Sequence, residues 1–120
     1  MDITPVVPGD RQLVQAYGDG AFRISGRQHV GSVLVFPDQV LPWSGEVSID
    51  GLAEVLARAE GIEILIVGCG PSMTLIPSEV RTTLRNAGIV MEPMDTGAGC
   101  RTYNVLLTED RRVAAALVAV

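Results

Sequence analysis

The segment 62–67, IEILIV, constrains the fold of this 120-residue chain more than any other feature. It is almost wholly apolar and rich in β-branched residues. A strand with one face in water alternates apolar and polar positions, whereas a strand covered on both faces reads as a continuous apolar run. The segment therefore predicts a strand buried between two layers.

Helical periodicity flanks this strand. Segment 50–61 has apolar residues on one helical face, with Asp50 as the expected N-cap and Gly61 as the stop. Segment 78–88 repeats the pattern and ends at Gly88. The other predicted elements of this half are a strand at 89–92, a helix at 97–108 and a final segment, 111–120, assigned to strand rather than helix. Alternating strands and helices predict parallel pairing with right-handed crossovers.

The first half of the chain has the pattern of strands. Two extended runs flank Gly18-Asp19-Gly20, which favours a turn with positive φ. The segment 31–38, GSVLVFPD, predicts a third strand that stops at Pro37-Asp38, and Pro42-Trp43 predicts a bend. We expect one α/β domain over residues 1–120, with three layers: a mixed central sheet, an N-terminal antiparallel β layer and packed helices.

Composition excludes several function classes. Hydrophobic residues make up 48% of the chain, yet no apolar run reaches the ~18 residues of a membrane helix. The net charge is -5 and lysine is absent, so nucleic acid is a poor partner. The first residues lack the basic and apolar regions of a secretory signal. We expect a cytoplasmic protein in which Cys69 and Cys100 are free thiols.

The motif Asp95-Thr96-Gly97-Ala98 matches the catalytic loop of aspartic proteases. Those enzymes need two carboxylates that share one proton, so a single copy would have to dimerise through this loop. Only 25 residues follow Asp95, and the preceding chain is predicted to be α/β, not a β-barrel. We therefore predict no peptidase, and we expect Asp95 or Thr96 to cap the following helix.

A second candidate site is the loop Gly68-Cys69-Gly70, which follows the buried strand. Ligands of parallel sheets bind beyond the carboxyl ends of strands, where this loop lies. The dinucleotide pattern fails, since Met73 stands where the third glycine belongs, and no lysine can serve a Walker-type loop. A tight backbone turn and a phosphate cradle both remain open for this loop.

A third candidate comprises Arg101, Thr102, Tyr103 and Asn104, near the start of the predicted helix. Amides and a guanidinium at a helix N-terminus can bind an anion or a carboxylate. Alternatively, Arg101 pairs with an acid such as Asp95. The only histidine is His29, and no zinc spacing is present. We expect no catalytic residue, no metal and no cofactor.

Three sequence features together resemble the Mth938-like family, also called DUF498. They are GCGP after the buried strand, PW at 42–43, and LRNAGIVMEPMDTGAGCRTYNVLLTEDRRVAAAL at 84–117. The resemblance spans nearly the whole chain and implies a three-layer β/α fold with a mixed central sheet. It implies no established catalytic activity, and mitochondrial relatives in animals include an assembly factor for respiratory complex I. It also marks a cleft between the Gly68–Gly70 loop and the Thr96–Asn104 segment.

Two functional hypotheses follow. The first is an accessory module that binds a protein partner and assists assembly, favoured by the resemblance and by the lack of a nucleophile–base set. The second is a small-molecule or anion-binding protein, or a cryptic enzyme, which uses the cleft of Gly68, Cys69, Gly70, Asp95, Thr96, Arg101, Thr102, Tyr103 and Asn104. We favour the first hypothesis.

Overall fold

The computed structural model describes residues 11–120, which form two sheets and three α-helices. The smaller sheet contains β1 (Val14–Gly18), β2 (Ala21–Ile24) and β3 (Arg27–Val30), all antiparallel. The larger sheet has the order β5-β4-β8-β6-β7. Its strands are β4 (Val33–Phe36), β5 (Gln39–Pro42), β6 (Ile64–Gly68), β7 (Val90–Met94) and β8 (Val113–Leu117). The helices are α1 (Ala53–Ala57), α2 (Ser78–Asn86) and α3 (Thr96–Thr108), with a 3-10 turn at Ala59–Gly61.

The larger sheet is mixed, as predicted. β6 pairs in parallel with β7 and with β8, while β4 runs antiparallel to β8 and β5. The apolar segment 62–67 supplies most of β6, which lies between two neighbouring strands. The C-terminal segment is a strand, and its small residues Ala114–Ala116 are buried in the middle of the sheet.

Alternate residues of the central sheet face two different apolar clusters. In β6, Leu65 and Val67 face one side and Ile66 faces the other. Helices α1 and α2 cover the first side through Val55, Val80 and Leu84. Helix α3 and strand β2 cover the second side through Phe22, Ile24, Tyr103 and Leu107. The three-layer arrangement is therefore confirmed, with α3 and the small sheet sharing one outer layer.

Two strands of the first half were not predicted. β3 has the sequence RQHV, and only His29 among its residues is not fully exposed, so it lacks apolar alternation. It forms because its backbone pairs with β2. The other is β5: Pro37-Asp38 ends β4 at Phe36, as predicted, but the dipeptide forms a turn after which Gln39 pairs with Phe36. Strand β5 ends at Pro42, where the sequence predicted a bend, but the Trp43 N–H still donates to the Ser32 carbonyl (3.0 Å) and the first bend after the strand lies at Ser48.

The prediction that Asp50 caps the first helix is wrong. Helix α1 starts at Ala53, and its N-cap residue Leu52 makes no side-chain cap. The preceding turn is held by Ser48, whose hydroxyl accepts from the Gly51 N–H (2.9 Å) and whose carbonyl accepts from the Leu52 N–H (3.0 Å). The Trp43 indole donates to the Gly51 carbonyl (2.9 Å) and fixes this turn against the core.

Candidate functional site

Asp95 is the N-cap of α3. Its Oδ1 accepts a hydrogen bond from the Ala98 N–H (3.0 Å), and its backbone is extended at φ -66° and ψ 160°. This geometry satisfies one of the free amides at the helix start. The Asp-Thr-Gly-Ala motif is therefore a helix start, as expected, and Asp95, not Thr96, supplies the cap.

Thr96 is fully buried and links three segments of the chain. Its Oγ1 accepts from the Gly70 N–H (2.9 Å) and donates to the Val118 carbonyl (2.8 Å). The Thr96 N–H donates to the Gly70 carbonyl (2.8 Å). One side chain thus joins the loop after β6, the start of α3 and the end of β8.

Gly68 and Gly99 allow the first turns of α3 to pack directly on the end of β6. A Cβ atom at Gly68 would lie 2.9 Å from Leu117 Cδ2 and 3.0 Å from Thr96 Cα. A Cβ atom at Gly99 would lie 3.3 Å from Gly68 Cα. The Gly68–Gly70 loop and the start of the Thr96–Asn104 segment are therefore in contact with each other. Ligand or partner binding by these two segments stays a prediction.

The two cysteines are free thiols that face opposite sides of the central sheet. Cys69 is partly buried against the cluster that contacts α1 and α2, and its N–H donates to the Met94 carbonyl (2.8 Å). Cys100 is buried in the cluster under α3. Burial raises the pKa of the Cys100 thiol to about 12, and the positive charge of Arg101 opposes part of that rise. Cys100 is consequently a protonated core residue at neutral pH.

Tyr103 and Asn104 attach α3 to the start of the described chain. The buried Tyr103 hydroxyl donates to the Gln12 carbonyl (3.0 Å), and burial raises the pKa of this phenol. The Asn104 side chain makes two hydrogen bonds to one residue of β1. Its Oδ1 accepts from the Val14 N–H (3.0 Å), and its Nδ2 donates to the Val14 carbonyl (2.7 Å). The amide thus takes the place of a neighbouring strand at that point.

Arg101 differs from the residues around it because it is exposed. Within residues 11–120 it forms no salt bridge, and the Asp95 carboxylate accepts from the helix start instead. The alternative in which Arg101 pairs with Asp95 is therefore wrong. Thr102, beside it, is only partly buried.

Tyr17 of β1 joins Arg101 at the first turn of α3. A Cβ atom at Gly97 would contact the Tyr17 hydroxyl and would lie 3.5 Å from Arg101 NH1. The Tyr17 side chain is 44% exposed. Tyr17 was not among the predicted site residues, because β1 and α3 are about eighty positions apart in the chain. Gly97 was the available signal in the sequence. A residue without a side chain at this position leaves room for Tyr17 to pack on the first turn of α3.

A surface hollow of about 340 Å³ lies between β1 and α3. We call it the β1–α3 groove; its lining residues are Val14, Gln15, Ala16, Tyr17, Cys100, Arg101 and Asn104. A second hollow, lined mostly by residues of β1 and β2, shares Ala16 and Tyr17 and includes Asp19 and Arg23. Among the described residues, no group of three or more His, Cys, Asp or Glu side chains could hold a metal ion.

Comparison with known proteins finds relatives over nearly all of this chain. The family described as "Protein of unknown function (DUF498/DUF598)" matches residues 14–118. The chain belongs to the DUF498 family. An uncharacterised protein of Rhodobacter capsulatus is 39% identical over 105 residues, which cover 88% of this chain and 82% of that protein.

More distant members of this DUF498 group have a named role. NADH dehydrogenase (ubiquinone) 1 alpha subcomplex assembly factor 3 of Danio rerio is 31% identical over 110 residues. The match covers 88% of this chain but only 63% of the fish protein. This DUF498 chain therefore corresponds to less than two thirds of the length of that assembly factor.

Solved structures confirm the Mth938-like fold of this DUF498 chain. An outer membrane protein from Bartonella henselae superposes with a TM-score of 0.85 at 36% identity, over 92% of this chain and 97% of that one. A Mth938-like domain from Bordetella pertussis gives a TM-score of 0.77 at 27% identity, over 98% and 92%. Within residues 11–120, no helix has the length and apolar character needed to cross a membrane. The cytoplasmic location expected from the sequence stays a prediction.

Proposed function

We propose that this chain is a non-enzymatic accessory module that binds a protein partner, in the manner of an assembly factor. The observation that carries the proposal is the 31% identity, over 88% of this chain, to a protein named as an assembly factor. The DUF498 family match at residues 14–118 covers β1, α3 and the loop after β6, so the residues that line the β1–α3 groove lie within the family region.

The β1–α3 groove is the surface that we assign to the partner. Of the signature residues at 95–104, Asp95, Thr96, Tyr103 and Asn104 use their side chains for internal hydrogen bonds. Arg101 is exposed. An arginine beside an exposed aromatic ring is the residue pair enriched at energetically dominant positions of interfaces. Tyr17 provides that ring, and it needs no rearrangement of the core to contact a partner.

A second candidate function is the binding of a small anion beside Arg101. Arg101 NH1 lies near Gly97, in the first turn of the thirteen-residue helix α3, and a guanidinium at a helix start favours negative charge. The cleft of Gly68–Gly70 and Thr96–Asn104 is the alternative location for a small molecule. We rank both below protein binding, because the Asp95 carboxylate already occupies the amide of Ala98.

Affinity capture followed by mass spectrometry tests the proposal. The tagged wild-type protein, expressed at native level, is compared with Arg101→Glu, with Tyr17→Ala and with Arg85→Glu. Arg85 is the matched control, because it is an exposed arginine on α2, in the opposite layer. We expect a protein that both groove variants lose and the control retains. Capture of the same proteins by all four forms would contradict the proposal.

A further inference from the structure

In the part of the chain that the structure describes, the outer edge of β1 is only partly occupied. β1 is an edge strand of the small sheet, and its Val14 main-chain groups are bonded by the Asn104 side chain. Beyond Val14, Gln15 to Tyr17 are exposed. Within residues 11–120, the main chain of Ala16 and Tyr17 makes no hydrogen bond outside its pairing with β2. An edge with free N–H and C=O groups can accept a further strand.

Each face of this edge carries an arginine. Ala16 lies opposite Arg23 on β2, and both line the second hollow together with Asp19. Tyr17 lies opposite the buried Phe22, so it is on the inner face, where Arg101 borders the groove. Neither arginine forms a salt bridge within the described residues, although the whole chain has a net charge of -5.

We infer that the edge of β1 along Gln15–Tyr17 binds a short, extended, acidic segment of the partner by strand addition. This inference rests on the proposed function. The Asn104 side-chain amide already makes with Val14 the two hydrogen bonds that a peptide group of an added strand would make. Side chains of an added strand alternate between the two faces, so one set would meet Arg23 and the other Arg101. Opposite charges across neighbouring strands stabilise the pairing and select the partner.

A second copy of this chain is a poorer occupant. Pairing of β1 with β1 about a two-fold axis would place the two copies of Arg101, and those of Arg23, around one interface. Like charges brought together in this way oppose association. An acidic segment of another protein has complementary charge.

A displayed library of random hexapeptides tests the charge preference. It is selected on the immobilised wild-type protein, and the recovered peptides are measured against Arg101→Glu, Arg23→Glu and the control Arg85→Glu. We expect enrichment of Asp and Glu beside β-branched residues, with depletion of proline. Charge reversal at either Arg101 or Arg23 should weaken binding by about tenfold, equal to ~1.4 kcal/mol, while the control should bind as the wild type does. Recovery of peptides with no excess of acidic residues would overturn the inference.

N-methylation of the best peptide tests strand addition itself. One version is methylated at the odd positions and another at the even positions, because only alternate amides of an added strand face β1. We expect one version to lose binding and the other to keep it. Equal binding by both versions would overturn the inference, as would a dimer of the wild-type protein at the working concentration that uses β1. If partner capture still depends on Arg101 in that case, the proposed function stands and the inference alone fails.

Discussion

At the scale of single residues, Thr96 is the most highly connected side chain of the signature. Replacement by valine keeps the shape but removes both hydroxyl hydrogen bonds, which leaves the Gly70 N–H and the Val118 carbonyl without that partner. The unpaired Gly70 N–H is buried and costs about 1–3 kcal/mol, whereas the Val118 carbonyl is only partly buried and costs less. We expect Thr96→Val to lower the free energy of unfolding, measured in urea, by on the order of 2–4 kcal/mol. Thr96→Ser retains the hydroxyl and should cost about 1 kcal/mol; an equal loss in both variants would show that the methyl group contributes as much as the hydroxyl hydrogen bonds.

Arg101 should contribute little to stability. It is exposed and lacks a salt bridge within the described chain, and such substitutions usually change stability by less than about 0.5 kcal/mol. Thermal melts of the wild type and Arg101→Ala should therefore nearly coincide. A loss of about 3–5 kcal/mol would instead indicate a buried ion pair. Repeating the melts with phosphate tests the anion-binding alternative, since stabilisation of the wild type alone would support it.

The two thiols should differ in reactivity. Cys69 is partly exposed, whereas Cys100 is buried and its pKa is raised to about 12. Near pH 8 a disulfide reagent should modify Cys69 quickly and Cys100 only on unfolding, as mass spectrometry of the native protein can show. The folded state holds the Cys100 proton more tightly, so its contribution to stability is present below pH 9 and is lost as the pH rises towards 12. Equal labelling rates in the native protein would refute this assignment.

At the scale of elements, the contact between β6 and α3 determines the site. Gly68→Ala would place a Cβ atom 3.0 Å from the Thr96 backbone, and we expect a loss of about 1–3 kcal/mol in unfolding free energy. Gly61→Ala is the matched control, because open space surrounds that position and its stability should be unchanged or slightly raised. Equal stabilities of the two variants would show that α3 can move away from β6 at little cost.

The elements of the second half could be predicted because their apolar periodicity is local. Helices α2 and α3 each bury one face, and β6 is a continuous apolar run buried on both faces; each pattern can be recognised within one segment. β3 could not, because RQHV has no buried face and its structure comes from pairing with β2. The prediction of Asp50 as the N-cap was wrong because Ser48 forms the hydrogen bonds of the turn before α1. The sequence preferences of helix starts do not distinguish between two such neighbouring polar residues.

The candidate site could be predicted only where its residues form a local sequence pattern. The loop from Asp95 to Asn104 was recognised as a signature, and the helix cap was correct. The internal roles of Thr96 and Asn104 depend on partners at Gly70 and Val14, which only the fold brings together. Tyr17 has no motif of its own, and its position beside Arg101 is a property of the tertiary structure.

At the scale of the whole molecule, the arginines of this acidic chain differ in whether a carboxylate pairs with them. The chain carries a net charge of -5, and three of its arginines, Arg11, Arg58 and Arg111, pair with acids. Arg23 and Arg101 flank the open edge of β1 and are unpaired within the described residues. Two unpaired arginines beside one edge of an acidic protein favour an acidic partner and oppose pairing with the same edge of a second copy.

Photocrosslinking from position 17 tests this account most directly. A photoreactive phenylalanine analogue replaces Tyr17 in one protein and Glu79, exposed on α2 in the opposite layer, in a control. We predict that irradiation of living cells gives a discrete heavier adduct from position 17 and none from position 79, and that Arg101→Glu abolishes it. Absence of any adduct from position 17, or the same adduct from both positions, would contradict the claim that the β1–α3 groove binds a protein partner.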